Sequence, residues 1–259
     1  MAISKSKGPR KTQQYTLPSM GYKYPKEFPG GKVGVHSYNF DVEQNLAGDA
    51  DGQLKMNQIT PLVIDLPEGF KVGELLVADQ FYLLMAARAM SFGEEYSFTT
   101  VCPTCGALEK HLYTLPDGLP VNVLPPDFKE PLEFELPGCK DIVGIRFLTI
   151  DDEMMIANYA KQRKANHPDA GDPGYKCRLA KHIVHVNEEK PTDLNDAIDY
   201  VAGLDGRDPA EFRYQVDTKS PGIRPLLKVQ CPKDGCGVIY DAVFRVTAEF
   251  FRPQRQATD

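Results

Sequence analysis

The chain has 259 residues, room for one large domain or two small ones. Hydrophobic residues make up 42% and charged residues 25%, as in an ordinary soluble globular protein, and no run of ~20 apolar residues is present to span a membrane. With 30 lysines and arginines against 36 acids, the net charge is -6, which argues against a general nucleic-acid binder with its basic surface.

Residues 1–14 carry Lys5, Lys7, Arg10 and Lys11 and almost nothing apolar. They are expected as a flexible basic tail, or in the alternative as an arm that orders on an acidic partner; they lack the apolar centre of a secretory signal. Residues 15–31 are rich in turns, with Tyr22, Tyr24 and Phe28 as anchors for an extended, irregular path. Alternation over 33–42 predicts a strand, and 45–52 a polar loop. Within that loop, Asp49-Ala50-Asp51-Gly52 looks like the start of a calcium loop but lacks the third acidic position and the terminal Glu, so it reads as a turn. Residues 54–65 are mixed. A helix is predicted over 72–91, where Val77, Phe81, Leu84, Met85 and Arg88 recur at three and four residues and Gly93 stops it.

Strands are predicted over 96–101 and 108–114. Residues 117–137 are rich in Pro and acids, with a short extended piece at Phe134 and Leu136, and 142–148 reads as a strand. Asp151-Asp152-Glu153 opens a helix to about residue 164, its acids placed where the helix dipole favours them. A loop over 166–174 leads to a helix over 175–186 that carries Cys177, His182 and His185. A Thr-capped helix follows over 192–204. Asp208-Pro209-Ala210-Glu211 opens one more, with Asp as cap and Glu three residues on. Strands over 226–230 and 238–246 enclose the last cysteines, and Phe250-Phe251-Arg252-Pro253 leads into a polar tail.

The strongest local signal is a pair of cysteine turns, Cys102-Pro103-Thr104-Cys105-Gly106 and Cys231-Pro232-Lys233-Asp234-Gly235-Cys236-Gly237. Each lies between two strand-like segments, with Pro after the first Cys and Gly after the second. Such a turn puts both sulfurs on one side, where backbone amides can donate to the thiolates. Two turns supply four thiolates, a closed tetrahedral set for a structural zinc, and both spacings lie within the two-to-four range. In a reducing cytosol, cysteines serve as metal ligands or free thiols more often than as disulfides. A redox dithiol at Cys102 and Cys105 would normally open a helix, whereas a strand pattern follows here. Cys177, His182 and His185 can be drawn as a second ligand set, but no fourth partner is evident and packing roles suffice. Cys139 lies in a Pro-Gly-Cys turn. No GxSxG, phosphate loop, GxGxxG or HExxH is present, and the Asp151-Asp152-Glu153 cluster reads as a solvated helix start, so a non-enzymatic protein is expected.

The expected fold class is α+β: a zinc-ribbon-like pair of Cys hairpins with a helical and short-strand insertion between them. The parts are a tail (1–14), an α+β part ending in the first Cys turn (15–106), a mixed insertion (107–230), and the second Cys hairpin with the C-terminal stretch (231–259).

The arrangement resembles the baseplate protein family of contractile-tailed bacteriophages, which includes hub-assembly proteins. The resembling pieces are Leu17-Pro18-Ser19 with its following aromatics, and Asp79-Gln80-Phe81-Tyr82 leading through Arg88 to Ser91-Phe92-Gly93-Glu94-Glu95-Tyr96. They continue with the first Cys turn, Arg146-Phe147-Leu148 before an acidic helix start, and the second Cys turn followed by Phe250-Phe251-Arg252-Pro253. The segment from Arg88 to Cys105 is the most specific. The resemblance implies a structural or assembly component of the baseplate or hub that is made in the host cytoplasm and contacts other tail proteins. It leaves open whether the chain stays in the virion, and it supplies no catalytic residues. The wider second Cys turn departs from the usual pattern. The rival reading is a zinc-ribbon nucleic-acid binder, against which Lys23, Lys26, Lys32, Arg163, Lys164, Arg252 and Arg255 are basic but scattered.

Overall fold

The computed structural model describes residues 10–47, 52–168, 171–224, 226–244 and 248–251. Strand β1 (Thr12–Thr16) pairs antiparallel with β2 (Lys32–His36). Thr12, Gln13 and Gln14, expected in a tail, thus belong to a strand; residues 1–9 lie outside the described residues. The Pro-rich stretch between the strands loops back on itself, closed by Leu17 N–H on the Gly31 carbonyl at 2.8 Å. It buries Leu17, Tyr24 and Phe28, and Tyr24, Phe28 and Phe70 meet edge to face.

The strand predicted over 33–42 ends early, at His36. Asn39 accepts from Val42 N–H at 3.1 Å and starts helix α1 (Phe40–Ala47), which has Asp41 and Glu43 in its first turn. The stretch read as mixed is helix α2 (Gly52–Val63). Pro61 near its end masks the pattern, but Ile59 and Val63, four apart, are buried on one face. The calcium-like residues 49–51 lie outside the described residues. Helix α3 (Val77–Phe92) is the centre of the fold. Leu83 to Ala87 are all buried, the mark of a helix covered on every side. Gly93 ends it with φ of 98°, a conformation that favours glycine.

The strands β3 (Glu95–Val101) and β4 (Leu108–Thr114) form the first hairpin, in the register Val101↔Leu108 to Glu95↔Thr114. Next come β5 (Val121–Asn122), β6 (Leu132–Glu135), β7 (Ile142–Ile145), α4 (Ile150–Asn166), α5 (Pro173–His182), β8 (Ile183–Val186), α6 (Leu194–Gly203), α7 (Arg207–Lys219) and β9 (Gly222–Ile223). The second hairpin is β10 (Leu226–Gln230) with β11 (Ile239–Val243), and α8 (Ala248–Phe251) follows. β6, β7 and β8 make a three-stranded antiparallel sheet, and β5 pairs with β9.

These pairings divide the inserted region. β4 belongs to the first hairpin, and Leu115, Leu119 and Leu124 pack in the main core with α3, Leu227, Val229 and Phe250. A second core of Leu136, Val143, Ile145, Ala180, Val201 and Phe212 lies within residues 132–216. The β5–β9 pair closes the base where the chain leaves and returns. Three local readings change here. The helix predicted over 175–186 ends at His182, because the run Ile183-Val184-His185-Val186 joins a sheet. Asp193, one residue past the predicted Thr192, caps α6. Asp208 does not cap α7; it is buried and accepts from Gly138 N–H at 2.6 Å and Cys139 N–H at 3.0 Å.

The acidic start of α4 is a capping box between Thr149 and Asp152. Asp152 also takes both nitrogens of Arg146, at 2.6 and 2.9 Å, and Lys181 Nζ at 3.0 Å. Burial opposes its charge, but Arg146, the Thr149 N–H and Lys181 together hold its carboxyl well below the ordinary 3.8. A depressed native pKa gives stability that is present above about pH 4 and lost as pH falls further. Asp152→Asn is therefore expected to cost ~2–3 kcal/mol at pH 7, since the pair is partly exposed, and to flatten the acid limb of stability measured by urea melts.

Candidate metal centre

The two Cys turns are the tips of the two hairpins. In the first, Gly106 N–H bonds to the Cys102 carbonyl and Cys102 N–H to the Ala107 carbonyl, both at 2.9 Å. In the second, Cys231 N–H bonds to the Val238 carbonyl at 2.9 Å, and Cys236 N–H to the Lys233 carbonyl at 3.0 Å. The glycine after the second cysteine of each turn, Gly106 or Gly237, has a left-handed φ of 68° or 59°. A side chain there would strain the turn that aims the sulfurs inward.

The hairpins meet face to face. Along β3 and β4, alternate residues Tyr96, Phe98, Thr100, Glu109, His111 and Tyr113 are half-buried, while their neighbours are exposed. Phe98 and Tyr96 each meet Phe244 edge to face at 5.6 Å. Arg88 of α3 lies over the Tyr96 and Phe250 rings and donates to the Gly93 carbonyl at 2.8 Å, fixing the far end of the assembly.

At the near end all four predicted thiols converge. Cys102 Sγ is 3.9 Å from Cys236 Sγ, and Cys105 Sγ is 3.7 Å from Cys231 Sγ, with all four sulfurs within 4.8 Å of one another. A disulfide would need about 2.05 Å. The edge of a tetrahedron of sulfurs at ~2.3 Å from one ion is about 3.8 Å. The observed spacing matches the tetrahedron. Each contact joins positions 126 or 134 residues apart in the chain. Cys102 and Cys231 are buried, and Cys105 and Cys236 half-buried.

The turn amides prepare the thiols. Burial works against the Cys102 thiolate, but N–H groups of Cys105 and Thr104 outweigh it and bring this thiol down to about 7. The Lys233 N–H favours the Cys231 thiolate, yet burial and the neighbouring thiols push that group up to about 12. Four sulfurs so close cannot all carry charge without a cation between them.

The second ligand set drawn from the sequence does not assemble. Cys177 is buried against Leu148 and Ile156. His182 Nδ1 lies 2.7 Å from the Arg146 carbonyl, and burial pushes its pKa down to about 4, which leaves a neutral ring donating that bond. His185 stands on β8 and faces Glu133 at 3.2 Å. Among the described residues, the four cysteines are the one group of three or more His, Cys, Asp or Glu close enough to hold an ion.

Sequence reasoning missed the polar residues beneath the thiols. Thr100 Oγ1 lies 2.8 Å from both His111 Nε2 and Tyr240 Oη, and Tyr240 donates to Glu109 at 3.3 Å. The strand alternation puts all four on inner faces, but nothing local pairs β11 with β3. No helix among the described residues is long and apolar enough to cross a membrane. Comparison with protein-family models, curated proteins and solved structures gave no match.

Proposed function

We propose that this chain is a non-enzymatic, zinc-stapled structural or assembly component of a contractile phage tail, placed in the baseplate or its hub. The observation that carries the staple is the convergence of Cys102, Cys105, Cys231 and Cys236 at tetrahedral spacing. An all-sulfur, four-coordinate set suits zinc, and it leaves no open position for substrate or water, as in structural sites.

The tail reading rests on the sequence resemblance, several of whose pieces are in contact in the fold. Ser19 bonds to Asp79, Arg88 packs on Tyr96 and Phe250, and the two Cys turns meet. A role in protein contacts is supported by the outer hairpin faces. Val101, Leu108 and Leu112 on one, and Leu226, Ile239 and Val243 on the other, are exposed apolar side chains.

A tagged chain captured from phage-infected cells, alongside mass spectrometry of purified virions, tests the reading. Tail proteins are expected in the capture. Peptides in the virion at fixed stoichiometry would make the chain a permanent subunit, and capture without virion peptides an assembly factor. The absence of both would overturn the proposal.

A further inference from the structure

The hydroxyl of Tyr240 joins the two hairpins directly beneath the thiols, and its hydrogen bonds can be followed proton by proton. Glu109 accepts only, so Tyr240 spends its proton there. Tyr240 Oη must then accept from Thr100, whose oxygen in turn accepts from His111 Nε2–H. The chain runs from β4 to β3, across to β11, and back to β4. Each donor is used once, and the sense of every bond is fixed. It crosses between segments far apart in sequence, and Thr100 is two residues from Cys102.

We propose that Tyr240 is the positioning residue of the metal centre, holding the second hairpin in the register that brings Cys231 and Cys236 onto Cys102 and Cys105. This rests on the zinc reading above. Groups that orient metal ligands without touching the ion typically change affinity 10–100-fold when removed. Thr100 acts in the same bond, so the two residues form one device.

The test titrates zinc and cobalt into the full chain and its Tyr240→Phe, Thr100→Val and double variants. A chelator competition reads affinity, and the cobalt–thiolate absorption bands read ligand geometry. The expected result is about one ion per chain in every case. Affinity should fall at least tenfold in either single variant and no further in the double one, with altered cobalt bands, while the metal-free melting temperature falls only by what one lost hydrogen bond costs. Tyr38→Phe, which removes a buried hydroxyl with no hydrogen-bond partner among the described residues, should leave affinity unchanged. Unaltered affinity in both single variants would overturn the inference while leaving the zinc reading intact. Absence of metal binding by the parent chain would overturn both.

Discussion

Replacing Cys102 or Cys231 by serine is expected to abolish metal binding and to cost about 5 kcal/mol or more. The magnitude follows from what the ion closes. Linking Cys105 to Cys231 spans 126 residues, and fixing a loop of that length removes about 5 kcal/mol of chain entropy from the unfolded state. Whole domains are stable by only ~5–15 kcal/mol, so the variants should be poorly soluble or strongly destabilised. Cys139→Ser is the control: this cysteine is exposed in a turn of the inserted body and should keep full metal content. Metal analysis of protein purified without added zinc, with chemical melts, checks both statements. Acid should act in the same direction as the substitutions. Cys231 and Cys236 are held above their ordinary range by burial and the neighbouring thiols, so metal binding must displace their protons, and affinity should fall as pH drops.

Asp79→Ala is expected to cost about 3–5 kcal/mol, from the buried donors of Ser19 and Tyr24 that it leaves unpaired. Asp79 is fully buried on α3 and accepts from Ser19 N–H at 3.0 Å, from Ser19 Oγ at 2.5 Å and from the Tyr24 hydroxyl. Alanine leaves these donors buried and unpaired, and it releases the Pro-rich loop from the helix. Burial pushes the carboxyl up from 3.8 to about 6, against the pull of its donors. Because the native pKa is raised, the contribution is fully present below about pH 4 and declines as pH rises through about 6. Asp79→Asn cannot titrate and should lose that slope. Measured on metal-free protein between pH 4 and 8, the denaturant midpoint of the parent relative to that of the Asn variant should fall as pH rises, whatever the other groups do to both curves. Equal slopes would place the titration elsewhere.

What the sequence disclosed was local chemistry with its own punctuation. The cysteine turns announced themselves through Pro and Gly at fixed offsets, and their flanking strands through alternation, so the four converging cysteines and both hairpins could be read directly. The acidic start of α4 was equally plain. The misread elements are those where two local signals compete. Val33 and Val35 begin an alternation that runs visually to Val42, but Asn39 and the acids after it start a helix instead. The Tyr175 helix yields to the β-branched run at Ile183, because β7 offers a sheet to join. Asp208 has the sequence context of a cap, yet its partners at Gly138 and Cys139 are about 70 residues away. The same non-locality hid Tyr240, whose place beneath the thiols depends on how two hairpins face each other.

X-ray absorption at the zinc edge of the purified chain tests the central claim most directly. A shell of four sulfurs at ~2.3 Å, with no nitrogen or oxygen neighbour, is the predicted result. A shell containing nitrogen or oxygen, fewer than four sulfurs, or folded protein with no zinc at all would contradict it.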